Sequence, residues 1–565
     1  VRHVARWLVL IVPVAVLIGS AVALFLWSLD LVTAQRWATP WLVWLLPLGG
    51  VAIGLLYHAV GRSAEAGNNL IVDEIHEPGA GVPARMAPLV LIGTLGTHLV
   101  GGSAGREGTA VQMGGSIAST VARTVYARVA GTLAWFRLDT HDQRMLLQSG
   151  VAAGFGAVFG TPIAGAIFAL EVLAIGRITY AALIPCLMAS LIGDWATSAW
   201  GVHHTSYPTL LLDTLGITRL DPILLLKVSV AAAVFGLVST LFAESTHALA
   251  RLFGRIAPVP WLRPALGGAI VLALMLLVGS RDYLGLGVTT ADGQGVSIVN
   301  SFETGAIAPW SWALKLLFTA VTLGSGFKGG EVTPLFFIGA TLGHTMGVLL
   351  DAPIALFAAI GFVAVFAGAT NTPLACTVMG VELFGAQIGV YLATACFLAY
   401  LFSGHSSIYA AQRLAVPKVS ARVTVMVLAL GLAGSTSLVA QQSPAVLPSA
   451  RLHLLAHHDG RHAAGALAVV LDAVPLVGGV VDDGGRLVLT MPAGPQRVVV
   501  RRIGLRTDTL SLVLRVGQDT RVTVSIVFVP PARQCRHHDP DHRRRNGSLA
   551  CRAGRRGRGR HTRRT

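Results

Sequence analysis

Glu107 is the residue with the most chemistry to offer. It sits in Gly105-Arg106-Glu107-Gly108-Thr109, a polar, glycine-flanked break in apolar sequence. An ionisable side chain inside a membrane is costly and is kept there for function. At a helix N-terminus, unpaired N–H groups and the positive end of the helix dipole attract negative charge. A charged Glu107 is therefore expected to fill the place of an anion, and a protonated one to swing away and admit the ion. Two other segments have similar composition. Gly67-Asn68-Asn69 opens a short apolar stretch, and Gly330-Glu331-Val332-Thr333-Pro334 opens a longer one, with Pro334 suited to a first helical turn. Glycine lets backbone N–H groups approach an ion closely. Three helix starts aimed at one point would hold an anion without a full salt bridge, which would bind too tightly for release.

The elements that must position these residues belong to a membrane protein. Of 565 residues 53% are hydrophobic and only 12% charged, about half the charge of a soluble domain. Long apolar stretches run over 7–27, 41–60, 228–242, 266–278 and 354–369, and the first two are long enough to cross a bilayer. The net charge of +16 is not a nucleic-acid signal. Residues 531–565 hold twelve arginines against two aspartates, so ten of those charges lie in the tail, without interleaved aromatics for base stacking. Arg2 and Arg6 before the first span, and Arg413, Lys418 and Arg422 after the last, place both flanks in the cytoplasm by the positive-inside tendency. The five cysteines form no metal-ligand or CxxC pattern, and no hydrolytic or redox constellation appears. Neither an enzyme nor a cofactor is expected.

An internal repeat relates two halves. Gly160 to Leu173 aligns with Asn371 to Phe384, matching Thr-Pro, the next alanine and a late glutamate, Glu171 or Glu382. Glycine-rich breaks at 101–115 and 324–339 precede the two copies, and Gly105 aligns with Gly330. Paired broken helices indicate a transporter with its site at the junction of its halves. The matched positions of Glu171 and Glu382 give them a structural role rather than one in transport.

These three segments, with Tyr409 in the late run at 404–412, resemble in order and spacing the four anion-site signatures of the CLC family, over roughly residues 1–420. The resemblance implies an all-α polytopic homodimer, each subunit an inverted repeat of short, tilted and broken helices with its own ion path. It implies an anion-binding and gating set of Asn68, Gly105, Arg106, Glu107, Gly108, Glu331, Val332, Thr333 and Tyr409, with Glu107 as proton carrier. The combination of Asn68, Gly-Arg-Glu-Gly-Thr and Gly-Phe-Lys-Gly-Gly-Glu-Val-Thr-Pro looks like the fluoride-selective branch. Chloride-handling members have Gly-Ser-Gly-Ile-Pro at the first signature and an aromatic where this chain has Val332. Fluoride is small and strongly hydrated, and the Asn68 amide offers two N–H donors against one O–H from a serine. In many chloride/proton members a second glutamate relays protons from the inner side; the matching position here is Val172, which leaves the inner route open.

The expected activity is thus proton-coupled fluoride export across the inner membrane, with fluoride (or chloride) and protons as ligands and lipid as surroundings. Chloride/proton exchange and a passive anion channel are the rivals on this fold. From another class, a membrane-anchored extracytoplasmic binding module rests on the C-terminal part. There, 423–440 reads as an extra span or an internal signal-like segment. Residues 441–530 carry short alternating Val/Leu runs between turn signals, the pattern of a small β-sandwich, and resemble a carboxypeptidase-regulatory-like module. Residues 441–565 would then lie outside the cytoplasm. The tail, 531–565, has too little apolar content to build a core and is expected to be disordered.

Overall fold

The computed structural model describes residues 2–133, 136–205, 207, 221–305 and 307–418. Between 449 and 525 it describes 449–458, 461–462, 467–470, 477–482, 486–492, 494–501, 508–515 and 519–525. The apolar run at 423–440 and the basic tail lie outside the described residues. The chain divides into two units, Val1–Leu432 and Ala433–Thr565.

The first unit is helical and polytopic. Six helical stretches are long and apolar enough to cross a membrane, among the described residues, and shorter apolar helices fill the space between them. Leu17, Leu24, Leu237, Leu241, Leu276 and Leu277 stay exposed on its perimeter, as a lipid-facing surface requires. The apolar run at 228–242 underestimates its helix, which spans Pro222–Ile256. Polar residues follow it within the helix: Glu244 accepts a hydrogen bond from Ser406 at 2.8 Å, and Thr246 bonds back to Phe242 at 2.9 Å.

The repeat is written into the backbone. Met86–Leu99 and Ser311–Gly324 are matching helices. Each is followed by a turn through a glycine at positive φ, Gly101 at 91° and Gly326 at 107°. The next helices, Glu107–Thr120 and Val332–Leu349, begin at matching residues. Thr140–Phe159 and Ile354–Thr370 then end in left-handed residues, Gly160 (φ 70°) and Asn371 (φ 59°). Thr161-Pro162 and Thr372-Pro373 restart the chain as Pro162–Glu171 and Pro373–Phe384. Asparagine is one of the few L-residues that accepts the left-handed conformation at low cost, which is why the repeat tolerates glycine in one copy and asparagine in the other.

Glycine sets the closeness of this packing. A Cβ on Gly114 would lie 2.2 Å from the Gly150 carbonyl oxygen, and one on Gly339 would lie 2.2 Å from that of Gly361. The two pairs occupy matching places in the two halves. Gly339→Ala is therefore expected to push apart the Val332–Leu349 and Ile354–Thr370 helices, costing about 1–3 kcal/mol. The readout is a lower thermal midpoint of the detergent-purified chain. Gly305→Ala is the control, since a Cβ there meets nothing within 4 Å.

The second unit forms two small sheets. Ser449–His458 pairs in parallel with Asp519–Ser525 and antiparallel with Arg486–Pro492 and Arg461–His462. The other sheet runs Val477–Val480, Leu467–Val470, Gly494–Arg501, Asp508–Leu514, all antiparallel. Leu452 and Leu454, and likewise Val498 and Val500, are buried at alternate positions, the period-two pattern of strands with one covered face. This is consistent with the small β domain expected from the sequence.

Candidate anion and proton site

The two glycine-rich breaks meet directly. Gly105 N–H donates to the Gly330 carbonyl at 2.6 Å, and Gly330 N–H returns the bond to Gly105 at 2.8 Å. A Cβ on either glycine would collide with the opposite strand of this bridge, so the approach depends on glycine. The bridge holds the starts of Glu107–Thr120 and Val332–Leu349 side by side.

Glu107 lies across that junction, 1% exposed. Its Oε2 accepts the Thr333 N–H at 3.0 Å, the Thr333 hydroxyl at 2.5 Å and the Arg106 N–H at 3.2 Å. Arg106 Nε lies 3.5 Å from Oε1. One carboxylate oxygen thus takes backbone and side-chain donors from the first turns of both helices. These donors face negative charge, and a free anion in that position would meet the same set.

Asn68, Glu331 and Tyr409 gather beside this junction. Asn68 opens the helix Asn68–His76, after Gly67 at φ 57°. A Cβ placed on Gly108 would come 3.2 Å from Asn68 Nδ2, 3.1 Å from Gly330 Cα and 3.8 Å from Glu331 Oε2. The side chains of Asn68 and Glu331 therefore converge on the face of Gly108. The Asn68 Oδ1 is buried with no hydrogen-bond partner among the described residues. Asn68, Glu331 and Tyr409 line a cavity of about 330 Å³, together with Gln112, His247 and Lys328. Asn69, beside Asn68, accepts the Ala411 N–H at 3.0 Å and so ties the Tyr409 loop to this helix. Lys328 stacks its ammonium on the Tyr57 ring at 4.2 Å. On the other side, Arg106 lines a second cavity of about 560 Å³. Glu107 lines neither cavity, although Arg106, just before it, lines one and Glu331, two residues before its partner Thr333, lines the other. Val332 is buried in the first turn beside Thr333 and lines neither cavity.

Sequence reasoning placed Glu171 and Glu382 outside the transport chemistry without saying what they hold. Glu171 accepts the N–H groups of Leu374 and Ala375 at 3.1 and 2.8 Å. Glu382 accepts those of Ile163 and Ala164 at 3.0 and 2.8 Å. Each glutamate closes the N-terminus of the other repeat's helix. Their matched spacing was the signal. Less visible was the network around Lys418. There Lys418 donates to Asn371, Ser403 and the Tyr400 carbonyl, and Gln412 donates to the carbonyls of Val172 and Thr370, both at 2.9 Å. Val172 offers no proton-carrying group.

The fold and site define a multi-pass membrane protein of two related halves with a carboxylate at the crossing of their broken helices. The chain belongs to the CLC family: the family model described as voltage gated chloride channel matches residues 49–404. It is 50% identical over 415 residues to a "Chloride/fluoride channel protein" of Pseudomonas syringae pv. tomato, covering 73% of this chain and 87% of that protein. It is 28% identical to a "Voltage-gated ClC-type chloride channel ClcB" of Salmonella typhi, covering 67% and 89%. Among solved structures it resembles a CLC-type fluoride/proton antiporter at 34% identity and TM-score 0.65, covering 73% of this chain and 98% of the other. The fold is shared with a slow cyanobacterial Cl⁻/H⁺ antiporter at 20% identity and TM-score 0.57, covering 70% and 94%.

Proposed function

We propose that this chain is a CLC-type anion/proton antiporter that exports fluoride, acting as a homodimer in the bacterial inner membrane. The observation that carries this reading is the Glu107 carboxylate held by the first turns of both repeats. Charged, it occupies the anion's place and closes the path. Protonated, it loses its charge-assisted bonds to Thr333 and Arg106, turns away and carries its proton while the anion passes. Alternation of anion and proton at one position couples their movements in opposite directions. Glu331, at the start of the second helix and facing the 330 Å³ cavity, is the second carboxylate through which protons reach the inner side, where Val172 offers none.

Fluoride is favoured over chloride by Asn68, whose amide presents compact N–H donors beside Gly108, and by the relatedness to proteins named for fluoride. The test is efflux from liposomes holding the purified full chain, with fluoride or chloride gradients and external pH recorded together. Fluoride efflux with coupled proton movement supports the reading. Equal chloride flux would move the protein to chloride/proton exchange, and fluoride flux without protons to a channel. In the same assay Asn68→Ser is expected to lower the fluoride-to-chloride flux ratio roughly five- to tenfold, what a lost hydrogen bond of about 1–1.5 kcal/mol is worth. An unchanged ratio would remove Asn68 from selectivity.

A further inference from the structure

The larger cavity holds an arginine that the gating chemistry does not use. Arg36 ends the Arg2–Ala38 helix and is only 8% exposed. It lines the 560 Å³ cavity with Arg106 and Arg281. Its guanidinium makes no hydrogen bond or ion pair with any described residue, and its Nε is wholly buried. The slot that holds it is built. A Cβ on Gly285 (φ 59°) would lie 2.6 Å from Arg36 Nη1, and one on Gly101 would lie 3.8 Å from its Cδ. The nearby carbonyls serve another cation: Lys315 donates to those of Tyr283 and Gly285 at 3.2 and 2.7 Å.

Carboxylates are present in the cavity but stand off. Asp30, Asp282 and Asp292 line it, and Asp282 already accepts the Val296 N–H at 3.0 Å. None lies within ion-pair distance of Arg36 or Arg281 among the described residues. A buried guanidinium with nothing to donate to is costly. Five N–H donors in a planar fork, facing an open cavity rather than a fixed carboxylate, are suited to an exchangeable anion.

We propose that Arg36, with Arg281 lining the same cavity and Arg106 at the gate, forms an outer anion site that holds a small hydrated anion, fluoride or chloride, just beyond Glu107. By the positive-inside tendency Arg2 and Arg6 lie in the cytoplasm, so Arg36, at the far end of the same helix, lies on the outer side. Its part in export rests on the antiport reading, but binding there does not. Trp37, which lines the same cavity, gives a local reporter. The full chain in detergent is titrated with sodium fluoride, then sodium chloride, against sodium gluconate at constant ionic strength. The signal is the tryptophan fluorescence change that is absent from Trp37→Phe. A saturable change is expected in the wild type and in Glu107→Gln. Its half-saturation concentration should rise at least tenfold in Arg36→Gln and several-fold in Arg281→Gln, with Arg36→Lys between wild type and Arg36→Gln. Arg281 is exposed, so its variant tests the site even where Arg36→Gln fails to fold. Identical curves for the wild type, Arg36→Gln and Arg281→Gln, or no saturable signal in the wild type, would overturn the site. Loss of the signal in Glu107→Gln with its retention in Arg36→Gln would place the anion at the gate and overturn it equally. Antiport can fail in liposomes while this binding persists, so the two readings are separable.

Discussion

Glu107→Gln is expected to give a folded protein that passes anions but no longer exchanges them for protons. The glutamine has nearly the same volume and fits the same buried position. What it loses is charge. Thr333 N–H, Thr333 O–H and Arg106 N–H all converge on one carboxylate oxygen, and hydrogen bonds to a charged group contribute about 1.5–3 kcal/mol each. A neutral amide oxygen accepts these donors less strongly, and its NH2 group competes with them for space. The closed position therefore loses occupancy by at least roughly tenfold, since about 1.4 kcal/mol is a factor of ten. No proton can be picked up or released at that position by an amide. Wild-type fluoride efflux should vary with pH, and that of the variant should not. The decisive measurement is the ratio of protons to fluoride ions moved in liposomes. A ratio equal to wild type in Glu107→Gln would remove Glu107 from proton transfer. Loss of both fluxes with the fold intact would make its charge a requirement for conduction rather than a gate.

The halves of the molecule differ in how far they could be read in advance. Helix starts were legible because glycine, proline and a polar residue mark them: Gly105, Gly330 and Pro334 all stand where the sequence placed a break. The pairing of Gly105 with Gly330 followed from aligning the repeat, yet the alignment could not show that the two glycines hydrogen-bond to each other. That requires the halves to cross face to face, a long-range fact. Helix lengths were less legible. Hydropathy stopped at Phe242 although the helix runs to Ile256, because Glu244, Ser245 and Thr246 interrupt the apolar run without interrupting the helix. Arg36 falls between the apolar runs at 7–27 and 41–60 and was not singled out, since nothing near it in sequence shows that Gly101 and Gly285 would enclose it. Tyr409 illustrates the opposite case. Its motif was recognisable, but Asn69 at the distant first signature is what fixes its loop.

Glu171→Ala is expected to weaken the fold more than any substitution at the ion site. Its two oxygens take the N–H groups of Leu374 and Ala375 in the first turn of Pro373–Phe384, where no intrahelical acceptor exists. Alanine leaves two donors unsatisfied in a buried place. Each such group costs about 1–3 kcal/mol, so the loss is about 2–6 kcal/mol. Glu382→Ala removes the symmetrical pair at Ile163 and Ala164. Each removed acceptor again leaves a helix N–H unpaired, and a loss in the same range is expected. The double variant should lose less than the sum, because both caps join the same two helices and the first loss already loosens their contact. Thermal unfolding of the detergent-purified chain reads all three. Wild-type melting with reduced flux in Glu171→Ala would shift this residue from architecture to transport. A large drop in the melting midpoint, with normal coupling in the protein that remains folded, would establish that the two glutamates bind the halves together and take no part in the exchange.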